Sequence, residues 1–75
     1  MLNLSNLKQG EVAKVDSILD NELELKLMEM GCLPGEKIHI ERKAPLGDPI
    51  AISISGYTLS IREDDAKKVL VTLGQ

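Results

Sequence analysis

This chain carries one histidine, His39, and one cysteine, Cys32, with six residues between them. A closed zinc site takes about four Cys, His or carboxylate ligands at characteristic spacings, and these two residues do not make one. His39 and Glu41 alternate onto one face of a strand predicted over 36–44. There they are weak candidates for a divalent ion, with Cys32 as a third. The plainer reading of His39 is a solvated side chain on an exposed face, and no firm metal site is expected. Cys32 follows a predicted helix C-terminus, whose negative dipole end raises a thiol pKa rather than lowering it. The expectation is an unreactive, partly buried thiol. No other pairing of nucleophile and general base stands out, so neither enzyme activity nor a resident cofactor is expected. Gly47-Asp48-Pro49 reads as a turn with Asp48 bonded to backbone. A phosphate loop would need several glycines opening onto a helix, and here a strand follows. Arg42 and Arg62 sit at strand ends, solvated unless an anion meets them in a complex.

The elements that hold these residues must come from a single small domain, 1–75, because 75 residues leave room for little else. Leu, Ile and Val supply 23 of the residues and aromatics only Tyr57. A disordered chain lacks such an aliphatic supply, and base stacking needs aromatic platforms that are missing here. The net charge of −3 has the wrong sign for phosphate neutralisation, so no nucleic-acid partner is expected. A lone cysteine forms no internal disulfide. The N-terminus lacks a basic, then apolar, leader, and no apolar run approaches the about 20 residues of a membrane span. The expected location is cytoplasmic, without direct membrane insertion.

Leu4 and Leu7 anchor the N-terminal segment. A first strand is predicted over 11–18, with Val12 and Val15 apolar and an imperfect alternation that predicts a bulge. A helix is predicted over 20–31, with Asn21 as N-cap, Glu24 completing a capping box and Gly31 as a left-handed cap. At about 100° per residue, Leu19, Leu23, Leu27 and Met30 form its core stripe. In the strand over 36–44, Ile38 and Ile40 point one way and Lys37, His39, Glu41 and Lys43 the other. Pro45 and Gly47 suit positions i+1 and i+3 of a type I turn. The hairpin over 50–62 places Ser55-Gly56 at a two-residue turn. Ile54 then faces Tyr57, Ile52 faces Leu59 and Ile50 faces Ile61, all on the core side, and a one-residue slip would destroy that agreement. A helical turn over 63–66 and a last strand through Val69, Val71 and Leu73 follow. Five short strands with one apolar face each roll most easily into a small barrel.

Leu25 and Met28 fall about 140–200° around the helix from Leu23. Either the N-terminal Leu2–Leu7 segment covers them, or they meet a partner. In the second reading Leu25, Met28, Cys32 and Leu33 form a docking surface, and methionine suits an adaptable one.

Two motifs occur together: Lys26-Leu27-Met28-Glu29-Met30-Gly31-Cys32-Leu33-Pro34-Gly35, and Ala44-Pro45-Leu46-Gly47-Asp48-Pro49-Ile50 running through Ser55–Arg62 to Ala66. In this order, and over essentially the whole chain, they resemble the ferrous iron transport protein A (FeoA) family. Lys26, often Arg in the family, and Cys32, often aliphatic, depart from the pattern. The resemblance implies a mainly β fold, a small SH3-like β-barrel of about five strands with one α-helix packed on it. It implies a small cytosolic accessory or regulatory protein of bacterial ferrous iron uptake. Its implied partner is the Feo membrane permease with its cytosolic GTP-binding domain, and through that permease the protein would sit peripherally at the inner membrane. The alternative is a divalent-metal-responsive domain related to the C-terminal domain of iron-dependent repressors, holding Fe(II) through His39, Glu41 and Cys32. A third reading makes Arg42 or Arg62 an activator of GTP hydrolysis in trans. Self-association stays open.

Overall fold

Residues 2–73 are described by a computed structural model. A 3-10 turn, Leu4–Asn6, leads into β1 (Val12–Ile18), α1 (Asn21–Glu29), β2 (Lys37–Lys43), β3 (Ile50–Ile54), β4 (Tyr57–Ile61), α2 (Glu63–Ala66) and β5 (Val69–Leu73). The strands pair antiparallel in one sheet of order β4-β3-β2-β1-β5. This is the mainly β, five-stranded architecture with one principal helix that the residue pattern predicts. Ile38, Ile40, Ile50, Ile52 and Ile54 are fully buried, each worth about 1.5–3 kcal/mol of transfer free energy. Leu4 and Leu7 are buried with them. They pack where the 3-10 turn meets α2 and β5.

The hairpin register is as predicted: Ile50 opposite Ile61, Ile52 opposite Leu59, Ile54 opposite Tyr57. Ser55 and Gly56 both have positive φ, 50° and 81°, the backbone of a type I′ turn whose twist matches the strands. Burial departs from the expectation at one end. Tyr57 is 63% exposed and Leu59 is only partly buried, because β4 is a sheet edge and the end of α1 leaves a groove beside it rather than covering it.

Two bulges redirect side chains. One lies in β1 between Val15 and Ser17, where the imperfect alternation predicts it, and it turns Ile18 back into the core. Val12 is left exposed. The other lies in β2 between Ile40 and Arg42. It corrects the simple alternation, because Lys43 now pairs with the buried Ile50 and turns inward. Its Nζ donates to the carbonyls of Ser5 and Leu7 at 3.1 and 3.0 Å, satisfying the end of the 3-10 turn.

The N-cap of α1 is Asp20, not Asn21: its Oδ1 accepts from the Leu23 N–H at 3.0 Å. Leu19 is therefore outside the helix and the wheel does not apply to it. Its N–H donates to the Lys68 carbonyl at 2.8 Å, and with Ile18 inward it points out, 65% exposed. Met30 is also exposed rather than core. At the other end the Gly31 N–H donates to the Met28 carbonyl and the Cys32 N–H to the Leu27 carbonyl, a Schellman motif made possible by the Gly31 φ of 87°. Asp48 bonds not its own turn but the Glu63 N–H at 3.0 Å. It caps α2, whose Arg62 N-cap makes no side-chain bond.

Candidate docking surface

The Schellman motif decides the fate of the four predicted docking residues. It folds Cys32 back under Leu27, and Cys32 becomes core, 1% exposed. Cys32 is thus removed from the docking surface and from the metal candidates, since no partner or ion reaches it in the folded chain. Burial, and secondarily the Glu36 charge, raise its thiol pKa from 9.0 to about 11. Leu33, one residue on, is exposed. Leu25 and Met28 stand on the outer side of α1, 62% and 46% exposed. The N-terminal segment does not cover them, because Leu4 and Leu7 are spent in the core. The structure brings Leu25 and Met28 together as exposed apolar residues on one helix.

A second apolar feature adjoins them. A groove of ≈ 320 Å³ between the end of α1 and β4 is lined by Glu29, Met30, Tyr57, Thr58 and Leu59. It continues into a hollow that shares Met30 and Leu59 and reaches Lys26, Ile61, Arg62 and Asp65. Met30 lies about 160° around the helix from Met28, so the groove and the Leu25/Met28 patch occupy different flanks of α1. Sequence reasoning assigns Met30, Tyr57 and Leu59 to the core and so misses the groove. The signal was present in the position of Tyr57 beside the hairpin tip.

His39 and Glu41 do meet on the exposed face of β2, with His39 Nδ1 2.9 Å from Glu41 Oε2. No group of three or more potential ligands forms among the described residues. Arg42 and Arg62 are both exposed and line separate hollows, so they form no joint anion clamp. Asp20 carries the helix cap and lies 3.4 Å from Lys68 Nζ. The Leu23 N–H, with Lys68 beside it, holds its carboxyl below the usual value.

Several known proteins are similar to this chain in sequence or fold. A Porphyromonas gingivalis protein described as an Fe(2+) transport protein A/Fe(2+) transporter FeoB fusion is 34% identical over 73 residues, 96% of this chain. The chain spans 9% of that relative's length. The FeoA protein of Chlorobium tepidum is 36% identical with a TM-score of 0.90, over 96% of this chain and 70% of that one. FeoA of Stenotrophomonas maltophilia, described as an SH3 domain protein complexed with zinc, is 28% identical with a TM-score of 0.83, over 95% and 89% of the two chains. A protein described as T. acidophilum IdeR matches at 23% identity and a TM-score of 0.83, over 97% of this chain and 34% of that one; at that identity it shows the fold alone. The FeoA domain model matches residues 2–73. With that match and these relatives, the five-stranded sheet and its capping helix are an SH3-like fold, and the chain belongs to the FeoA domain family.

Proposed function

We propose that this chain is a cytosolic accessory protein of bacterial ferrous iron uptake that docks on the Feo permease and its GTP-binding domain. It would act at the inner membrane through that partner and catalyse no reaction of its own. The observation that carries the reading is the exposure of Leu25 and Met28 on α1 while other side chains fill the core. Two such residues gain nothing for folding where they stand, and burying them against a partner is worth about 1.5–3 kcal/mol each before association costs. The fused relative supports the choice of partner, since joining two units on one chain gives each a high effective concentration near the other. No helix of the described residues is long and apolar enough to cross a membrane. The test is co-purification of the tagged protein with permease-containing membranes, with and without guanine nucleotide. Recovery only from permease-containing membranes supports the reading; equal recovery from membranes lacking the permease overturns it.

A second reading has its own observation. The His39–Glu41 pair makes a two-ligand, solvent-facing site for a divalent ion, and iron-responsive repressors share the fold. Two exposed ligands hold a metal weakly, and a third would have to come from outside the chain. Calorimetric titration with Fe(II) under anaerobic conditions decides it. Binding lost in His39→Ala favours this reading, and no heat at high micromolar metal ends it.

A further inference from the structure

The charge of this chain is spread unevenly. Residues 20–36, which make α1, its N-cap and the turn after it, hold Asp20, Glu22, Glu24, Glu29 and Glu36 against Lys26 alone, a net −4. The whole chain is −3, so everything outside that stretch is close to neutral, at +1. Two of these carboxylates are engaged within the fold. Asp20 caps the helix and lies 3.4 Å from Lys68 Nζ, and Glu36 accepts from Ser55 Oγ at 3.0 Å. The carboxylates of Glu22, Glu24 and Glu29 enter no ion pair among the described residues. At about 100° per residue, Glu29 and Glu22 lie about 40° and 60° to one side of Leu25, and Glu24 lies about 40° beyond Met28 on the other. They border the exposed Leu25/Met28 patch on both sides. Lys26 is farther round, about 100° from Leu25, and lines a hollow that Glu22, Asp65 and Lys68 also line. Glu22 and Glu24 suit the first turn of a helix, but Glu29 is the last residue of α1, where the helix dipole disfavours an anion. The helix gains nothing from a carboxylate there.

We infer that the outer face of α1 docks on a basic protein surface: an apolar recess for Leu25 and Met28, flanked by lysine or arginine side chains that meet Glu22, Glu24 and Glu29. The inference rests on the docking reading above and adds the chemistry of the partner. An apolar centre inside a charged rim is the usual layout of a protein interface. Covering this face with a neutral or acidic surface would strip water from three carboxylates without replacing it, whereas cations opposite them restore the lost interactions. The same charge selects against other occupants. A second copy meeting α1 against α1 about a two-fold axis would set Glu against Glu. The anionic surface of a bilayer and the phosphates of a nucleic acid are both repelled. Because the carboxylates lie at the rim, their attraction steers the encounter and is screened by salt, while the leucine and methionine hold the complex once formed.

The test is recovery of the intact, tagged chain on membranes with and without the permease, at low and high salt, for the parent and two variants. Raising the ionic strength from about 0.01 M to about 1 M shortens the screening length from about 30 Å to about 3 Å, and should release most of the parent from permease-containing membranes. Glu29→Lys separates binding from folding. A cation suits the end of a helix, so the melting temperature should hold or rise, while recovery at low salt should fall about tenfold. Glu24→Gln, on the opposite flank of the patch, removes a charge at nearly constant shape and should give a smaller loss in the same direction, which keeps the test open if Glu29→Lys fails to fold. Permease-specific recovery that is indifferent to salt and to both variants overturns the inference and leaves the docking reading standing. Recovery no greater than from membranes lacking the permease strikes the docking reading itself, and the inference with it.

Discussion

At the scale of single residues, Cys32 shows how burial sets chemistry. Its thiol is shut into the core beneath Leu27 and titrates at about 11 rather than 9.0. At neutral pH it is protonated and inaccessible. A disulfide reagent should leave the native protein unlabelled and modify one thiol per chain in denaturant. Fast labelling of the native state would place Cys32 at the surface after all. The shift also has a sign for stability. The folded state holds the proton more tightly, so this contribution is intact below pH 9 and falls as pH rises from 9.0 to about 11. It amounts to roughly 2–3 kcal/mol. Thermal melts across that window should show the loss, and Cys32→Val should flatten it. Asp20 runs the other way. Its carboxyl is held low by the Leu23 N–H and Lys68, so its contribution is present above the ordinary value of 3.8 and is lost as pH falls below it. Asp20→Asn, which keeps an acceptor, should show less acid sensitivity in thermal melts than the parent.

At the scale of elements, the junction between α1 and the hairpin tip is the point where one atom matters. A Cβ on Gly31 would sit 3.4 Å from the Cβ and Oγ of Ser55, and the left-handed backbone there costs an L residue roughly 1–2 kcal/mol. Ser55 Oγ also donates to Glu36 Oε1 at 3.0 Å, tying the turn to the start of β2. Gly31→Ala should destabilise the protein by about 1–2 kcal/mol, read by urea denaturation with an unchanged m-value. A neutral result would mean that the turn yields freely. The hairpin, with its register and two-residue turn, is legible in the sequence because period-two alternation and a Ser-Gly pair leave one register that buries the isoleucines. The helix N-cap is less legible. Asp20 and Asn21 are both good caps, and the choice depends on where β1 ends, which the β1–β5 pairing through Leu19 and Lys68 sets.

At the scale of the molecule, the functional reading turns on which apolar side chains the core needs. Leu25 and Met28 are not among them, so Leu25→Glu with Met28→Glu should shift the melting temperature little. Permease co-purification should weaken, by up to about 3–6 kcal/mol if both side chains are buried in the complex. A large fall in stability would return both residues to the core. Unchanged stability with unchanged binding would move the permease contact elsewhere on the barrel, with the α1–β4 groove as the next surface to test.

The sequence by itself determined the fold class, the hairpin register, the helix stop at Gly31 and the outward placement of Leu25 and Met28. Each follows from local periodicity or from one residue's backbone freedom, and local rules act within a turn or a strand pair. Only the tertiary structure decided that Cys32 is core, that Lys43 turns inward to meet the 3-10 turn, that Asp48 caps α2, and that Tyr57 and Leu59 line a groove between α1 and β4. Those outcomes depend on which segments, distant in sequence, arrive beside one another. A bulge of one residue reverses a side chain's direction, and a strand's face is buried only where another element comes to cover it.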